Sequence, residues 1–509
     1  MELELDRTHL SGYETVLDTT IFHEETMEMI VPDACPDILR IADTEARVLL
    51  GGKEAMEGRA EVSGTVKASI LYLPDGEEGM RRMEVAIPFS CSADAPGLGS
   101  HCTLVALPRV QAAETRSLNP RKVLVRVNLA VCLSAYAPMT DSICAGVLGP
   151  EGSGVEQLQE DHSAYVVACV QEKPFTFSDD VAISGSRPEA AQLLKNRVTL
   201  ACNESKVIGN KLIFKGEARL QLFYRAGDNS LCTADYELPF SQIMEITGAG
   251  EDADCTLDVV LTSAECNLDS AGEGRTVAVS LGLLAQAVVR EERSFQMLTD
   301  LYSTLYSLTP ETEAYSFCRV LDQGIRSQTV REILETGVMA RAVADAYVCI
   351  GQVTQGRDGE KLVLTADAAV TVVFTGEEGG VSSVTRSIPV SCPVELPEGC
   401  LCTCTCTCPE PVFATTTTGG IEVRFPLDFR FLALSVGRVA GVSAVRVEEA
   451  AAGSGENQPS IVLRMVGRQE RLWDIAKAYR TTAEEIRRAN GLEEEGAPQG
   501  QLLLIPRKR

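Results

Sequence analysis

The sequence predicts a mainly β protein: three repeated antiparallel β-rich modules, each with a short helix, followed by a small C-terminal βααβ domain. Three observations carry this. Alternating apolar stretches recur at matching places along the chain. A turn-rich segment and then a Pro-Phe-Ser-like motif follow each of them. From Ser460 onward both the charge and the periodicity change.

The first shared strand reads GTVKASILY (Gly64–Tyr72), GEARLQLFY (Gly216–Tyr224) and ADAAVTVVF (Ala366–Phe374). Val66, Ala68, Ile70 and Tyr72 match Ala218, Leu220, Leu222 and Tyr224, then Ala368, Val370, Val372 and Phe374. This is the alternation of a half-buried strand. PDGEEG, RAGDNS and TGEEGG supply the turns. IPFS (Ile87–Ser90), LPFS (Leu238–Ser241) and IPVS (Ile388–Ser391) come next. Upstream of each strand, CPDILRIA, RPEAAQLLK and SQTVREIL predict a short helix; in the first two an early proline sits where a missing N–H is harmless. In VPDACPDILRI (Val31–Ile41), Pro32 and Pro36 fix backbone angles and Asp33 or Asp37 is placed to cap.

A third strand begins CTLVALP at Cys102, CTLDVVL at Cys255 and CTCTCTC at Cys402. Cys400–Glu410 (CLCTCTCTCPE) therefore places cysteines where the sibling copies carry Leu104 and Ala106, or Leu257 and Val259. That predicts a strand using free cysteine as a small apolar residue, all five on one face. Same-face residues are about 6.6–7 Å apart, too far for several thiolates to share one zinc at about 2.3 Å each. No metal is assigned; a thiol or metal-buffering role is the competing reading. KVLVRVNLAVCLSAY (Lys122–Tyr136), RTVAVSLGLLAQAVV (Arg275–Val289) and IEVRFPLDFRFLALSV (Ile421–Val436) close the modules, which are set at residues 1–160, 161–311 and 312–449. A β-sandwich or barrel-like unit is expected for each.

Residues 450–460, AAAGSGENQPS, have linker composition, so the tail at 461–509 is expected to move relative to the body. In the tail, IVLRMV reads as a strand and LWDIAKAY as an amphipathic helix, with Leu472, Ile475, Ala476 and Tyr479 on one face. Thr482 precedes Glu485 with capping-box spacing, Asn490-Gly491 ends the second helix, and QLLLIP is the last strand. Trp473, the only tryptophan, is first a core residue, but tryptophan is also enriched in binding hot spots. Arg487 and Arg488 are solvated charges that could also steer an acidic partner. With Ile461, Leu472 and Asn490 on the neighbouring elements, they form the candidate partner-binding set.

The chain's 509 residues carry a formal charge of −26, which disfavours nucleic acid and anionic membrane surfaces as partners. The tail is the exception, with ten Lys and Arg against seven Asp and Glu from Ser460 to Arg509. MELELDRTHL has no apolar core for a signal peptide, and no apolar stretch is long enough to span a bilayer. Eighteen cysteines without such a signal predict reduced thiols. The four histidines, His9, His23, His101 and His162, all lie in the first third. With no Walker A loop, no G-x-S-x-G and no H-E-x-x-H, no catalytic residue or cofactor is assigned, and no enzyme is expected.

The tail resembles a LysM domain in IVLRMV, LWDIAKAY, TTAEEIRRANGL and LLLIP. The resemblance implies a βααβ fold that usually binds N-acetylglucosamine-containing glycans between two loops. Gln469, Glu470 and Arg471 stand where Gly-Asp-Thr is usual, and Pro498-Gln499-Gly500-Gln501 where Pro-Gly-Gln is usual, which argues against peptidoglycan. The body resembles SPOCS-type repeats of clostridial sporulation proteins in VPDACPDILRI, the GTVKASILY strand and IPFS; the later copies keep the strand pattern without the Pro-Asp signature. Such repeats joined to a LysM tail resemble the SipL family of spore-coat morphogenetic proteins. This implies a non-enzymatic scaffold in the mother-cell cytoplasm, recruited to the forespore surface. Its LysM domain would contact SpoIVA, an ATP-hydrolysing protein of the coat basement layer, and its β modules other coat proteins. The alternative is an envelope protein that holds peptidoglycan through its LysM domain.

Overall fold

The computed structural model describes residues 3–149, 154–269, 274–377, 379–448, 460–468, 470–492 and 499–506. Apart from the tail, the described elements are strands. The first unit contains β1 (Glu4–Ile30), β2 (Ile38–Met56), β3 (Arg59–Pro74), β4 (Arg81–Asp94), β5 (Thr103–Asn119) and β6 (Lys122–Leu148). The second repeats it with β7 (Val155–Ala182), β8 (Ala190–Ile208), β9 (Lys211–Ala226), β10 (Leu231–Glu245), β11 (Asp254–Leu268) and β12 (Thr276–Ser303). The third has β13 (Ser307–Leu334), β14 (Ala340–Asp358), β15 (Lys361–Gly376), β16 (Val381–Glu395), β17 (Leu401–Thr407), β18 (Phe413–Thr417) and β19 (Gly420–Glu448).

In each unit the first and last strands, 27–29 residues long, pair antiparallel as a long ribbon. The fifth strand adds to the ribbon's last strand. The second to fourth strands form a separate three-stranded sheet with the third in the middle. The alternation of GTVKASILY and its siblings is explained by that central place: Val66, Ala68, Ile70 and Tyr72 are fully buried, and they pack against Val123, Val125, Val127 and Leu129 of the ribbon. The second and third units repeat this facing arrangement. The outer halves of the ribbons converge on one another, through Leu10, Ile143, Ala164, Phe295, Met297 and Phe317. Tyr13 opposite Val167 joins the first two ribbons into one six-stranded sheet.

The expected helix in each module is not formed. Ile38 and Ala190 open strands β2 and β8, and SQTVREIL lies within β13. Register shifts between Ile38 and Arg40 and again between Ile41 and Asp43 break the two-residue alternation, and β8 has the same pair of shifts. A bulge inserts an unpaired residue, so inward-facing residues fall three or four apart, as on a helix. In β13, Val330 and Leu334 are both buried while Ile333 is half exposed; a spacing of four fits a strand face as well as a helix face.

The tail folds as β20 (Ile461–Met465), α1 (Leu472–Tyr479), α2 (Ala483–Asn490) and β21 (Leu502–Pro506), with β20 and β21 antiparallel. Thr482 and Glu485 form the expected capping box, and Gly491 ends α2 at φ 63°. The tail does not stand apart from the body as expected: Tyr302 of β12 is buried in its core. The expected linker lies outside the described residues except for Ser460.

Candidate functional site

The Pro-Asp signature is a clamp around one arginine. Arg121, at the foot of the ribbon, donates to the carbonyls of Cys35 at 2.7 Å and Val31 at 3.0 Å, and pairs with Asp33 and Asp37 at 3.2 Å each. Pro36 presents its carbonyl to the Tyr72 hydroxyl. The second unit keeps the device with Arg275, which pairs with Glu189 at 3.0 Å and donates to the Arg187 carbonyl, while Tyr224 donates to Pro188. The signature thus pins the start of the small sheet to its ribbon.

The cysteine run is strand β17, paired with β19 through Cys402 opposite Ala433, Cys404 opposite Phe431 and Cys406 opposite Phe429. Cys406 is fully buried, and Cys400, Cys402, Cys404 and Cys408 pack against the same core. Burial pushes the thiols of Cys402 and Cys408 up to about 11 and those of Cys404 and Cys406 to about 12, so they stay protonated at neutral pH. Among the described residues no group of three or more His, Cys, Asp and Glu is arranged to hold a metal.

Sequence reasoning missed a buried ion cluster between the units. The second bulge of β2, β8 and β14 falls just before Asp43, Lys195 and Asp345, so these three residues occupy one position in three copies. They meet. Lys195 Nζ lies 2.5 Å from Asp43, 3.0 Å from Glu45 and 3.0 Å from Asp345. Two residues further along stand Glu45, Arg197 and Tyr347. Arg197 pairs with Glu45 at 2.6 Å and Asp345 at 2.9 Å, and the Tyr347 hydroxyl donates to Asp43 at 3.2 Å. Burial opposes ionisation of Glu45 and Asp345, but Arg197 and Lys195 outweigh it and hold both carboxyls below their ordinary range. Burial likewise opposes the charge on Lys195, and its three carboxylates raise its pKa above the ordinary value. One residue before the ions, Ala42 and Leu194 pack with Leu71, Phe223 and Val373.

Beside the ions the units line an open cleft of about 1280 Å³, formed among others by Arg47, Arg109, Arg219, Cys349, Cys408 and Arg430. Three of these guanidinium groups are committed to the seam. Arg109 donates to the Cys406 carbonyl at 2.7 Å, Arg219 to Pro409, and Arg430 pairs with Asp258 at 2.5 Å. The arrangement ties three units together.

The six candidate partner residues of the tail are dispersed. Leu472 is in the tail core with Ile475 and Ile486. Asn490 bridges α2 and β21, bonding Ile486 and both backbone groups of Leu504 at 2.7–2.8 Å. Trp473 faces the body: its indole N–H donates to Asp300 at 2.8 Å. Arg488 is exposed and pairs with Glu484, four residues back. Arg487 is partly buried, and its Nε has no hydrogen-bond partner among the described residues. Ile461 alone lies on an exposed apolar face. The register sets Ile461 opposite Pro506, Leu463 opposite Leu504 and Met465 opposite Leu502, so all six share the outer side of the two-stranded sheet. Ile461, Leu463, Met465 and Leu502 are 56%, 62%, 65% and 56% exposed. In the first loop the Glu470 carboxylate accepts from the Gly467 N–H at 3.0 Å and pairs with Arg464; Gln469 and Pro498 lie outside the described residues.

This is a modular β protein, and the two kinds of domain it matches are non-catalytic binding domains. The model described as SipL, SPOCS domain matches residues 37–116 and 189–269, and the LysM domain model matches residues 466–506. The resemblance drawn from the sequence is thereby shown: the chain carries SPOCS domains and a C-terminal LysM domain, as fits a SipL-like sporulation protein. The SPOCS matches span β2 to β5 and β8 to β11, each a small sheet plus the strand that joins it to a ribbon. No curated protein matches the chain.

Proposed function

We propose that the chain is a non-enzymatic scaffold of spore-coat assembly. It would act on the mother-cell side of the forespore surface, docking a SpoIVA-like coat ATPase through its LysM domain and other coat proteins through its β units. The observation that carries this is the exposed face of Ile461, Leu463, Met465 and Leu502. An apolar patch of this kind is what a protein partner covers and a sugar does not need. The charge difference between tail and acidic body adds a means of steering an acidic partner.

The test measures binding of the full chain to purified SpoIVA and to peptidoglycan sacculi. Leu463→Glu with Met465→Glu should weaken SpoIVA binding by at least about 30-fold, the loss of a hot spot worth about 2 kcal/mol, with the circular dichroism spectrum unchanged. Arg487→Glu with Arg488→Glu should mainly slow association and flatten its salt dependence. Strong retention by sacculi with no affinity for SpoIVA would replace this reading by the glycan-binding one.

A further inference from the structure

Among the described residues, a group of hydrogen bonds between tail and body gathers at the end of β12. Asp300 accepts from the Trp473 indole at 2.8 Å and from Lys477 Nζ at 2.6 and 2.8 Å. Its Oδ1 also accepts from the Leu301 backbone N–H at 2.9 Å, which fixes the carboxylate. Two residues on, the Tyr302 hydroxyl donates to the Thr481 carbonyl at 2.8 Å, and its ring meets the Trp473 ring edge-on at 4.9 Å. On the tail side Trp473 and Lys477 stand one helical turn apart on α1.

The three ribbons allow a comparison within one molecule. The last strand of each unit has a register shift near its end, opposite Asp6/Arg7, at Leu298/Asp300 and opposite Glu311/Thr312. Counted from it, Asp300 and Tyr302 correspond to Gly146 and Leu148 in β6, and to Ala444 and Arg446 in β19. Only the second unit has the carboxylate and the aromatic ring, although the third unit precedes the tail in sequence. Packing of any ribbon tip against any small domain does not require that. The tail has its own core of Val466, Leu472, Ile475, Ile486, Leu503 and Ile505. Separation would break these polar bonds, expose the Tyr302 ring that is buried against the tail core, and leave the body's other core clusters untouched.

We infer that the tip of β12 is a dedicated receptor for the α1 face of this chain's own LysM domain. The contact is a reversible latch: closed, it withholds the Trp473–Lys477 face from outside ligands and fixes the domain's orientation on the body. This does not depend on the identity of the external partner.

Trp473 is the chain's only tryptophan, so its fluorescence reports the latch directly. Acrylamide quenching of the full chain should rise in the order wild type, Asp300→Asn, Asp300→Ala, with emission shifting to the red. Loss of charge-assisted hydrogen bonds should raise the open population at least about tenfold. The far-ultraviolet spectrum and melting of the chain should persist, and quenching should not depend on protein concentration. Three results would overturn the inference: Asp300→Ala quenching that equals wild type; a LysM domain that unfolds in Asp300→Ala, making the contact part of its core; or quenching protection that appears only at concentrations where the chain dimerises, placing the tail on a second copy.

Discussion

Lys195 shows how much one side chain can carry when its environment is closed. It is 3% exposed, and three carboxylates converge on it. Replacing it with methionine keeps the stem volume but leaves Glu45 and Asp345 to Arg197, and Asp43 to the Tyr347 hydroxyl. Breaking a buried pair in this way costs about 3–5 kcal/mol, so Lys195→Met should lower the urea midpoint sharply. A midpoint within error of wild type would mean that water reaches the cluster. The same cluster makes stability depend on acid. Glu45 and Asp345 are held below their ordinary values in the folded chain, so as pH falls past about 4 the unfolded chain takes up protons first. Their stabilisation is complete above that pH and is lost as pH falls through the lowered folded values. Asp345→Asn, less stable at neutral pH, should therefore lose less stability than wild type between about pH 5 and pH 3, measured by denaturant titration at each pH.

At the scale of the strand, the recurring motifs are packing rules. Gly64 pairs with Phe89 and Gly216 with Phe240, and in the third unit Ala366 pairs with Val390. A Cβ on Gly64 would come 2.3 Å from the Leu49 carbonyl oxygen and 2.7 Å from the Phe89 ring; on Gly216 it would meet the Ala201 carbonyl and Phe240 in the same way. The glycine and the phenylalanine of IPFS and LPFS are thus one device, and the third unit trades it for Ala and Val beside a wider register shift, between Ile350 and Val353. Gly64→Ala should cost about 1–3 kcal/mol as overpacking. Adding Phe89→Val should recover only part, because the carbonyl clash remains; full recovery in thermal melts would show that the ring alone decides. In β17, replacing Cys402, Cys404 and Cys406 with valine should leave a folded chain within about 1.5 kcal/mol of wild type, read by circular dichroism and denaturant titration; stoichiometric zinc in wild type that is lost in the variant would overturn the packing role. Strands like these were legible because alternation survives in them. It does not survive at the start of β2 and β8, where paired bulges imitate a helix. The tail elements were legible from helical spacing and the capping box, yet which face stays free was not. Ile461, Leu463 and Met465 alternate as plainly as any buried strand, and only the pairing with β21 shows that their side faces outward.

For the whole molecule, the question is why three copies of one unit assemble in one order within a chain. Equivalent positions converge at the cluster, so three identical units would bring three like charges together there. The chain avoids this by dividing the signs: Asp43 with Glu45 in the first unit, Lys195 with Arg197 in the second, Asp345 with Tyr347 in the third. Each of the five charged residues looks ordinary in an acidic sequence, and only alignment of the three copies by their bulges exposes the pattern. Like charges in a closed seam are costly, whereas the complementary set is satisfied in one arrangement. Lys195→Asp with Arg197→Glu would place carboxylates at five of the six positions and should separate the units, seen as a larger radius in solution scattering and as proteolysis between ribbons. Adding Asp43→Lys and Glu45→Arg exchanges the signs of the first two units and should restore most of the compactness, since the sum of charges is recovered and both acidic units again meet one basic unit. If the double variant kept the wild-type radius and melting temperature, the apolar layer of Leu71, Phe223 and Val373 would be what holds the units in place. If the double variant opened and the fourfold variant stayed open, the individual geometry of Lys195 and Arg197, rather than the division of charge, would be what orders the body.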